Sequence, residues 1–529
     1  MDRSKIITLY HTIKYLKSVQ VYYRLYYLLR NRFIKKSYSN KGIDRTKDLI
    51  WSDEIFNNKS YLGAKDFEFL NILKRFENKI NWNYSQFGKL WTYNLNYFDF
   101  LNQKEISVDD GLELIKNYIR QDSDLIDGKE PYVISLRGIN WVKFLSKNTI
   151  KDKIIDETLY YHYQILLDNL EYHLLGNHLL ENGFSLLFGG YYFNDERLLN
   201  TARKILKSEL EEQILKDGAH YELSPMYHQI LLGRLLDCIQ LVRCNDKIDN
   251  KKLLGFLEEK ACVMLSWLSN LTYKNGNIPL LNDSSIGIAP TSKELFSYAK
   301  SLHLNWRKIK LFDSGYRKFQ SHIFEVAIDV GNIQPSYQPG HSHSDTFSFE
   351  LYAQNIPIIV DPGVSTYEKN DRRQRERGTY YHNTVQIGNL EQTQVWGGFR
   401  VAKRAKVFGV IEDENKVLAK HDGYKNKGVI HSRQFHLDRN TFSIKDSLEG
   451  KSSLDKKMIL HFHPDVNISE ISKSEFQLNN LILNLTGEYD KVVIQDYEFS
   501  MGFNKTRKGK KIVVFFNEEL ETRITEMQL

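Results

Sequence analysis

From about residue 60 to residue 310, apolar side chains recur every three to four positions, the period of a helix with one buried face. In NDERLLNTARKILKSELEEQIL, residues Leu198, Ala202, Ile205, Leu206, Leu210 and Ile214 form one stripe, and Asn194 stands where a side chain would cap the first turn. ISVDDGLELIKNYI, KDKIIDETLYYHYQILLDNLEY and KKLLGFLEEKACVMLSWLSNL repeat the pattern with short Gly, Asn and Asp connections, which predicts stacked antiparallel helix pairs. After SGYRKF, near residue 314, the period drops to two and β-branched residues take over. HIFEVAIDV, DTFSFELYA, NIPIIVDPG, HNTVQIG, RAKVFGVIE, NTFSIKDSL, KKMILHFHP, LILNLTG and KKIVVFFNE each predict a strand, and such a series folds as stacked antiparallel sheets. Three units are expected: a basic aromatic helical arm over 1–60, a helical domain over 61–312 and a β-sandwich over 313–529.

Composition narrows the function without fixing it. A length of 529 residues exceeds one ordinary core, and 41% hydrophobic with 26% charged residues is usual for a globular protein. The net charge of +7 is spread among mixed signs, so no nucleic acid partner is expected, while an anionic polymer would be tolerated. The 32 tyrosines suit platforms for sugar rings. Cys238, Cys244 and Cys262 lack metal-type spacing and imply no disulfide framework. The arm, IITLYHTIKYLKSVQVYYRLYYLLRNRFIKK, is interrupted by Lys14, Lys17, Arg24 and Arg30, so it reads neither as a signal peptide nor as a membrane span. Two readings remain for it: a basic amphipathic helix on a membrane surface, or a helix packed on the body, which is preferred.

The densest chemistry lies in QPGHSHSDTFSFELY. Alternation in an extended segment would turn His341 and His343 to one side, and Asp361 in VDPG and His382 in YYHNTVQI add two more oxygen and nitrogen donors. Isolated His-x-His pairs are also ordinary polar surface residues. In the helical half, GNHLLENG puts Asn177, His178, Glu181 and Asn182 into an apolar helix, where they need partners as a site or as buried caps. HYELSPMYH offers His220, Tyr221, Glu222, Tyr227 and His228, and EPYVISLRGINWVKFL offers Arg137, Asn140 and Trp141 at helical spacing, suited to a sugar carboxylate and ring or to an ordinary core. Arg372, Arg373 and Arg377 could meet an acidic chain or form a solvated basic loop.

Taken in order, WTYNLNYFDFL, EPYVISLRGINWVKFL, GNHLLENG, HYELSPMYH, PGHSHSDTFSFEL, VDPGVSTY, RGTYYHNTVQI and HDGYKNKGVIHSR resemble the heparinase II/III family over about residues 85 to 465. The resemblance implies an N-terminal (α/α) toroid followed by a C-terminal antiparallel β-sandwich, with β-elimination of uronate-containing polysaccharides in the cleft between them. It implies that Asn177 and His178 hold the uronate carboxylate, that Tyr227 is catalytic with Tyr221 as an alternative, and that His341 faces it. It assigns His343, Asp361 and His382 to one structural zinc ion. Arg137, Asn140, Trp141, Tyr221, Glu222 and Arg377 are the expected substrate contacts.

Elimination removes a weakly acidic proton beside a charged carboxylate, so donors must stabilise the enolate-like intermediate while a base and an acid act at the sugar. Tyr227 could do both in a syn geometry, or His341 could be the base and Tyr227 the acid in an anti geometry; the sequence leaves both open. The basic aromatic arm and the lack of a signal-peptide pattern resemble family members that serve surface polysaccharide production, which implies a role with a surface or capsular polysaccharide in the cytoplasm or on the inner membrane, with a periplasmic place as the alternative. A non-catalytic, zinc-stabilised polysaccharide-binding or assembly protein and a zinc-dependent hydrolase are the other classes carried forward. Oligomeric state, linkage and sulfation are not encoded in any motif.

Overall fold

The computed structural model describes residues 3–34, 36–38, 48–245 and 250–527. Residues 39–47 of the expected arm lie outside the described residues. Helices α1 (Arg3–Ile13) and α2 (Ser18–Phe33) form the arm. A small three-stranded sheet, Tyr61–Gly63, Asp66–Phe69 and Ile72–Arg75, follows and has no counterpart in the helical pattern read from the sequence.

The helical domain contains α3 (Lys89–Tyr97), α4 (Val108–Ile119), α5 (Pro131–Lys147), α6 (Lys153–Asp168), α7 (Gly176–Phe193), α8 (Glu196–Gln213), α9 (Pro225–Asn245), α10 (Lys251–Leu271) and α11 (Ser292–Ser301). Odd-numbered helices pack in succession, α3 on α5, α5 on α7, α7 on α9 and α9 on α11, while α6, α8 and α10 back them from outside. This is the two-layered (α/α) toroid. Its cause is visible in the residues: α7 buries sixteen of its eighteen positions and is apolar on all sides, whereas α8 buries one stripe that includes Leu198, Ala202, Ile205, Leu206 and Leu210. The cap of α8 is Asp195, which accepts from the N–H groups of Arg197 and Leu198; Asn194 instead ends α7 in the left-handed region at φ 52°. The expected capping residue was therefore one position early, because a single linker residue has to finish one helix before the next begins.

The second half holds a four-stranded antiparallel sheet (Tyr316–Gln320, Phe324–Asp329, Phe349–Ala353, Ile356–Ile359) and a ten-stranded antiparallel sheet. All nine predicted strands are present. Two are much longer than their motifs: LILNLTG lies in Leu481–Ser500 and KKIVVFFNE in Thr506–Glu526, a hairpin paired from end to end. Phe324–Asp329 and Phe349–Ala353 are buried on both faces, which places them between layers. An apolar seam of Leu223, Trp267, Leu271, Tyr273, Leu281, Tyr316, Ala327 and Tyr352 joins toroid to sandwich. The arm docks on this body through polar bonds, Tyr27 to Leu170 O and Gln20 to Leu174 O among them.

Candidate active site

A cavity of about 600 Å³ lies between the domains, lined from the toroid by Asn177, His178, Glu222, Tyr227 and Arg234 and from the sandwich by His341, Tyr367 and Phe399. Its floor is organised by Asp283, in the segment that leaves α10. This carboxylate accepts from His341 Nδ1 and His343 Nε2, both at 2.8 Å, and from both terminal nitrogens of Arg373. Burial raises the pKa of Asp283, but the Arg373 guanidinium and the two imidazoles outweigh it and hold the carboxyl well below its ordinary range. An ionised carboxylate only accepts, so His341 carries its proton on Nδ1 and leaves the Nε2 lone pair open to the cavity side. Residues 341–345 form an irregular turn, not the extended segment expected, and the following strand starts at Phe349. His341 and His343 still converge, one on each oxygen of Asp283.

Opposite His341 Nε2 lies Asn177 Nδ2, 3.5 Å away. Asn177 is in the first turn of α7, and its amide donates to Glu222 at 3.1 and 2.9 Å while its N–H reaches the same carboxylate at 3.3 Å. Burial pushes Glu222 up, yet His341, His220 and the Asn177 bonds leave it below its ordinary value. The backbone must turn sharply to bring this about. Gly176 has φ +64°, and a Cβ there would stand 2.8 Å from Glu222 Oε1. His178 contacts the Tyr132 ring at 4.5 Å, tilted by 45°, and bonds Glu171 at 3.0 Å; burial lowers its pKa, but Glu171 reverses the sign and raises it above its ordinary value.

Tyr227, on α9, lies against His341 with ring centroids 4.0 Å apart and the planes tilted by 34°. Burial, with Asp283 and Glu222 nearby, pushes its phenol well up and keeps it protonated. One helix face carries both Tyr227 and Arg234, seven residues apart. Arg234 sits at 3.8 Å from Glu181 and 3.9 Å from Asp99, too far for tight bonds, and burial pushes Glu181 up to about 7 with neither oxygen hydrogen-bonded among the described residues. A buried guanidinium so loosely paired can take up an anion.

Several expected contacts lie elsewhere. Arg137 and Trp141 are fully buried; Arg137 donates to Asn96 O and lies over the Tyr118 ring. Asn140 is tied to Asp99, Tyr97 O and Asn102. None of the three lines the cavity. They face the toroid core because α5 is an inner helix buried on every side. Tyr221 is buried with its hydroxyl on Tyr337 at 2.8 Å, behind the cavity wall. Arg377 is buried as well and donates to Gly398 O and Ser342 O, bracing the His341 loop from below. Glu222 does line the cavity, as the Asn177 anchor. Asp283, Arg234 and Tyr367 were not singled out from the sequence, and the one usable signal for Arg234 was its two-turn offset from Tyr227.

His343, Asp361 and His382 are neighbours. The two imidazoles are 5.3 Å apart by ring centroid, and His382 Nδ1 bonds Asp361 Oδ2 at 2.7 Å. Among the described residues, no set of three His, Cys, Asp or Glu side chains is arranged as a metal cage. The donor set nevertheless fits zinc in kind, since His343 Nδ1 and His382 Nε2 are buried without a hydrogen-bond partner among the described residues, a costly state that a cation would relieve.

Family models match in two consecutive blocks, Heparinase II/III N-terminus over residues 135–308 and Heparinase II/III-like, C-terminal over residues 305–526. A heparin-sulfate lyase of Bacteroides thetaiotaomicron is 26% identical over 349 residues, covering 57% of this chain and 47% of the relative. A heparin-sulfate lyase of Bacteroides stercoris is 22% identical over 342 residues, with the same shares. The chain thus spans about half the length of the curated relatives it matches. Among solved structures, a heparinase III superposes with a TM-score of 0.65 at 17% identity, over 96% of this chain and 91% of that one, which establishes the shared fold. With both family blocks matched in order across residues 135–526, the chain belongs to the heparinase II/III family.

Proposed function

We propose that the protein is a polysaccharide lyase that cleaves a uronate-containing anionic polysaccharide by β-elimination in the interdomain cavity. The observation that supports it most directly is the Asp283–His341 pair, whose open Nε2 lies between the Asn177 amide and the Tyr227 ring. The uronate carboxylate is received by Asn177 and His178 at the start of α7, which stabilise the enolate-like charge. His341 Nε2 takes the C5 proton. Tyr227, protonated by burial, gives its proton to the glycosidic oxygen on C4 as the C4–O bond breaks and the C4=C5 double bond forms. The Tyr227 and His341 rings touch at 4.0 Å and leave no room for a pyranose between them, so base and acid approach the sugar from one side; the elimination is then syn with the two roles divided, not with Tyr227 alone. Arg234 takes a second carboxylate or a sulfate. The names of the curated relatives make heparan sulfate and heparin the first substrates to try. In the same reading one zinc ion is held by His343, His382 and Asp361. It would supply rigidity to the His341 loop, since elimination needs no activated water.

The test is the product. Full-length protein incubated with heparan sulfate, heparin and other uronate polymers is expected to release chains with the ultraviolet absorbance of the new double bond, and Tyr227→Phe and His341→Ala should each lower turnover by about 10²-fold or more. New reducing ends without that absorbance would mean a hydrolase. Full activity in both variants would remove the site assignment.

A further inference from the structure

The arm leaves most of its apolar side chains uncovered by the body it rests on. α2 meets the body through Gln20 and Arg30, its buried residues, bonded to Leu174 O and Gln338 and to Asp168 O and Asn169, and through Val19, Tyr23 and Tyr27, with Tyr23 stacked on Tyr172. Its other large apolar residues point outward. Leu25, Leu28, Leu29 and Phe33 are 59%, 65%, 55% and 74% exposed, and with Tyr22 and Tyr26 they recur at helical spacing as one stripe. α1 repeats the arrangement with Ile6, Ile7, Tyr10 and Ile13 exposed. Two consecutive helices therefore present apolar faces to solvent, and a contiguous patch of that kind on an otherwise well-packed body marks a contact surface.

We infer that this face docks in the plane of an anionic lipid bilayer. Residues 3–36 hold nine Lys and Arg and no Asp or Glu, and Lys5, Lys14 and Arg32 are exposed. That charge complements anionic headgroups, whereas a second copy of the chain would bring two basic faces together. Tyrosines at the edges of the stripe suit the headgroup level, where an apolar ring and a hydroxyl are both satisfied. No described helix is long and apolar enough to cross a membrane, so the contact is interfacial. The inner side of the arm touches both domains, Lys17 lying over the Tyr337 ring and Trp396 Nε1 donating to Thr12, so the bilayer would hold the whole body with the mouth of the cavity beside it. This placement holds whether or not the cavity is a lyase site.

Full-length protein should co-sediment with vesicles of phosphatidylcholine mixed with phosphatidylglycerol, more weakly with phosphatidylcholine alone, and less as salt rises. Leu25→Glu/Leu29→Glu should lower the bound fraction by about tenfold or more with the thermal midpoint unchanged, because both side chains face solvent. Lys5→Gln/Lys14→Gln/Arg32→Gln should erase the preference for the anionic vesicles. Wild-type protein left in the supernatant with anionic vesicles overturns the inference. So does a wild-type dimer that ignores vesicles and becomes monomeric in Leu25→Glu/Leu29→Glu, which would make the face a self-association surface.

Discussion

Asp283 accepts four bonds from three side chains, and they set the tautomer of His341, the orientation of His343 and the resting place of Arg373. Asp283→Asn should lower turnover by about 10²-fold or more, because the amide can no longer enforce a proton on His341 Nδ1. It should also destabilise the protein by about 3–5 kcal/mol, since it strands the buried Arg373 charge. The two effects separate in Asp283→Asn/Arg373→Met. That double variant should regain much of the lost stability in thermal unfolding while staying inactive; recovered turnover would show that Asp283 acts by packing alone. At this scale the sequence exposed the histidines, whose spacing is chemical information in itself, and hid Asp283, whose role depends on segments far apart in the chain. Arg137 and Trp141 were misplaced for a related reason. Helical spacing groups side chains on a face, but on an inner helix of a toroid every face is buried, so spacing does not say which one meets the cavity.

The start of α7 holds Asn177 and His178, the groups proposed to receive the carboxylate, and it depends on a backbone that only glycine adopts without strain. Gly176→Ala at φ +64° should cost about 1–2 kcal/mol from the left-handed conformation alone. The added Cβ would also press on Glu222 and swing the Asn177 amide away from His341, so substrate affinity should fall by about tenfold or more. Gly255→Ala is the control: it lies in α10 with open space around it and should leave activity unchanged and stability equal or slightly higher. Equal behaviour of the two variants would mean that the α7 turn does not position Asn177. Elements as such were readable, because a 3.6 or a 2.0 period survives in a single sequence. Their ends were less so: Asn194 and Asp195 are both good capping residues, and the choice between them came from the preceding helix. The length of the Leu481–Ser500 and Thr506–Glu526 hairpin was hidden because mostly exposed, charged stretches such as TGEYDK carry no core-facing run.

Across the whole molecule, the cavity exists because toroid and sandwich are fixed against each other, and two different contacts do this. The apolar seam around Trp267, Tyr316 and Tyr352 is non-directional and sets the distance between domains. The polar contact is directional: Asp283 from the toroid's trailing segment holds His343, while His343, His382 and Asp361 gather strands of the sandwich beneath it. The change from a helical to an alternating pattern near residue 314 made the two-domain plan legible, but the polar joint draws on residues nearly a hundred positions apart, a separation that no local pattern encodes. If one zinc ion occupies that joint, metal analysis of the purified protein should give about one zinc per chain. Chelation should then lower the thermal midpoint by on the order of 5 °C or more and weaken elimination by loosening the His341 loop, and added zinc should restore both. His382→Ala should reproduce the chelated state and fail to respond to zinc. His341→Ala should keep the metal and the thermal midpoint while losing turnover, since its imidazole bonds Asp283 and not the unpartnered nitrogens of His343 and His382. A zinc-free protein whose midpoint ignores both chelator and added zinc would reduce the joint to hydrogen bonds, with the Asp283 carboxylate alone tying the catalytic loop to the toroid.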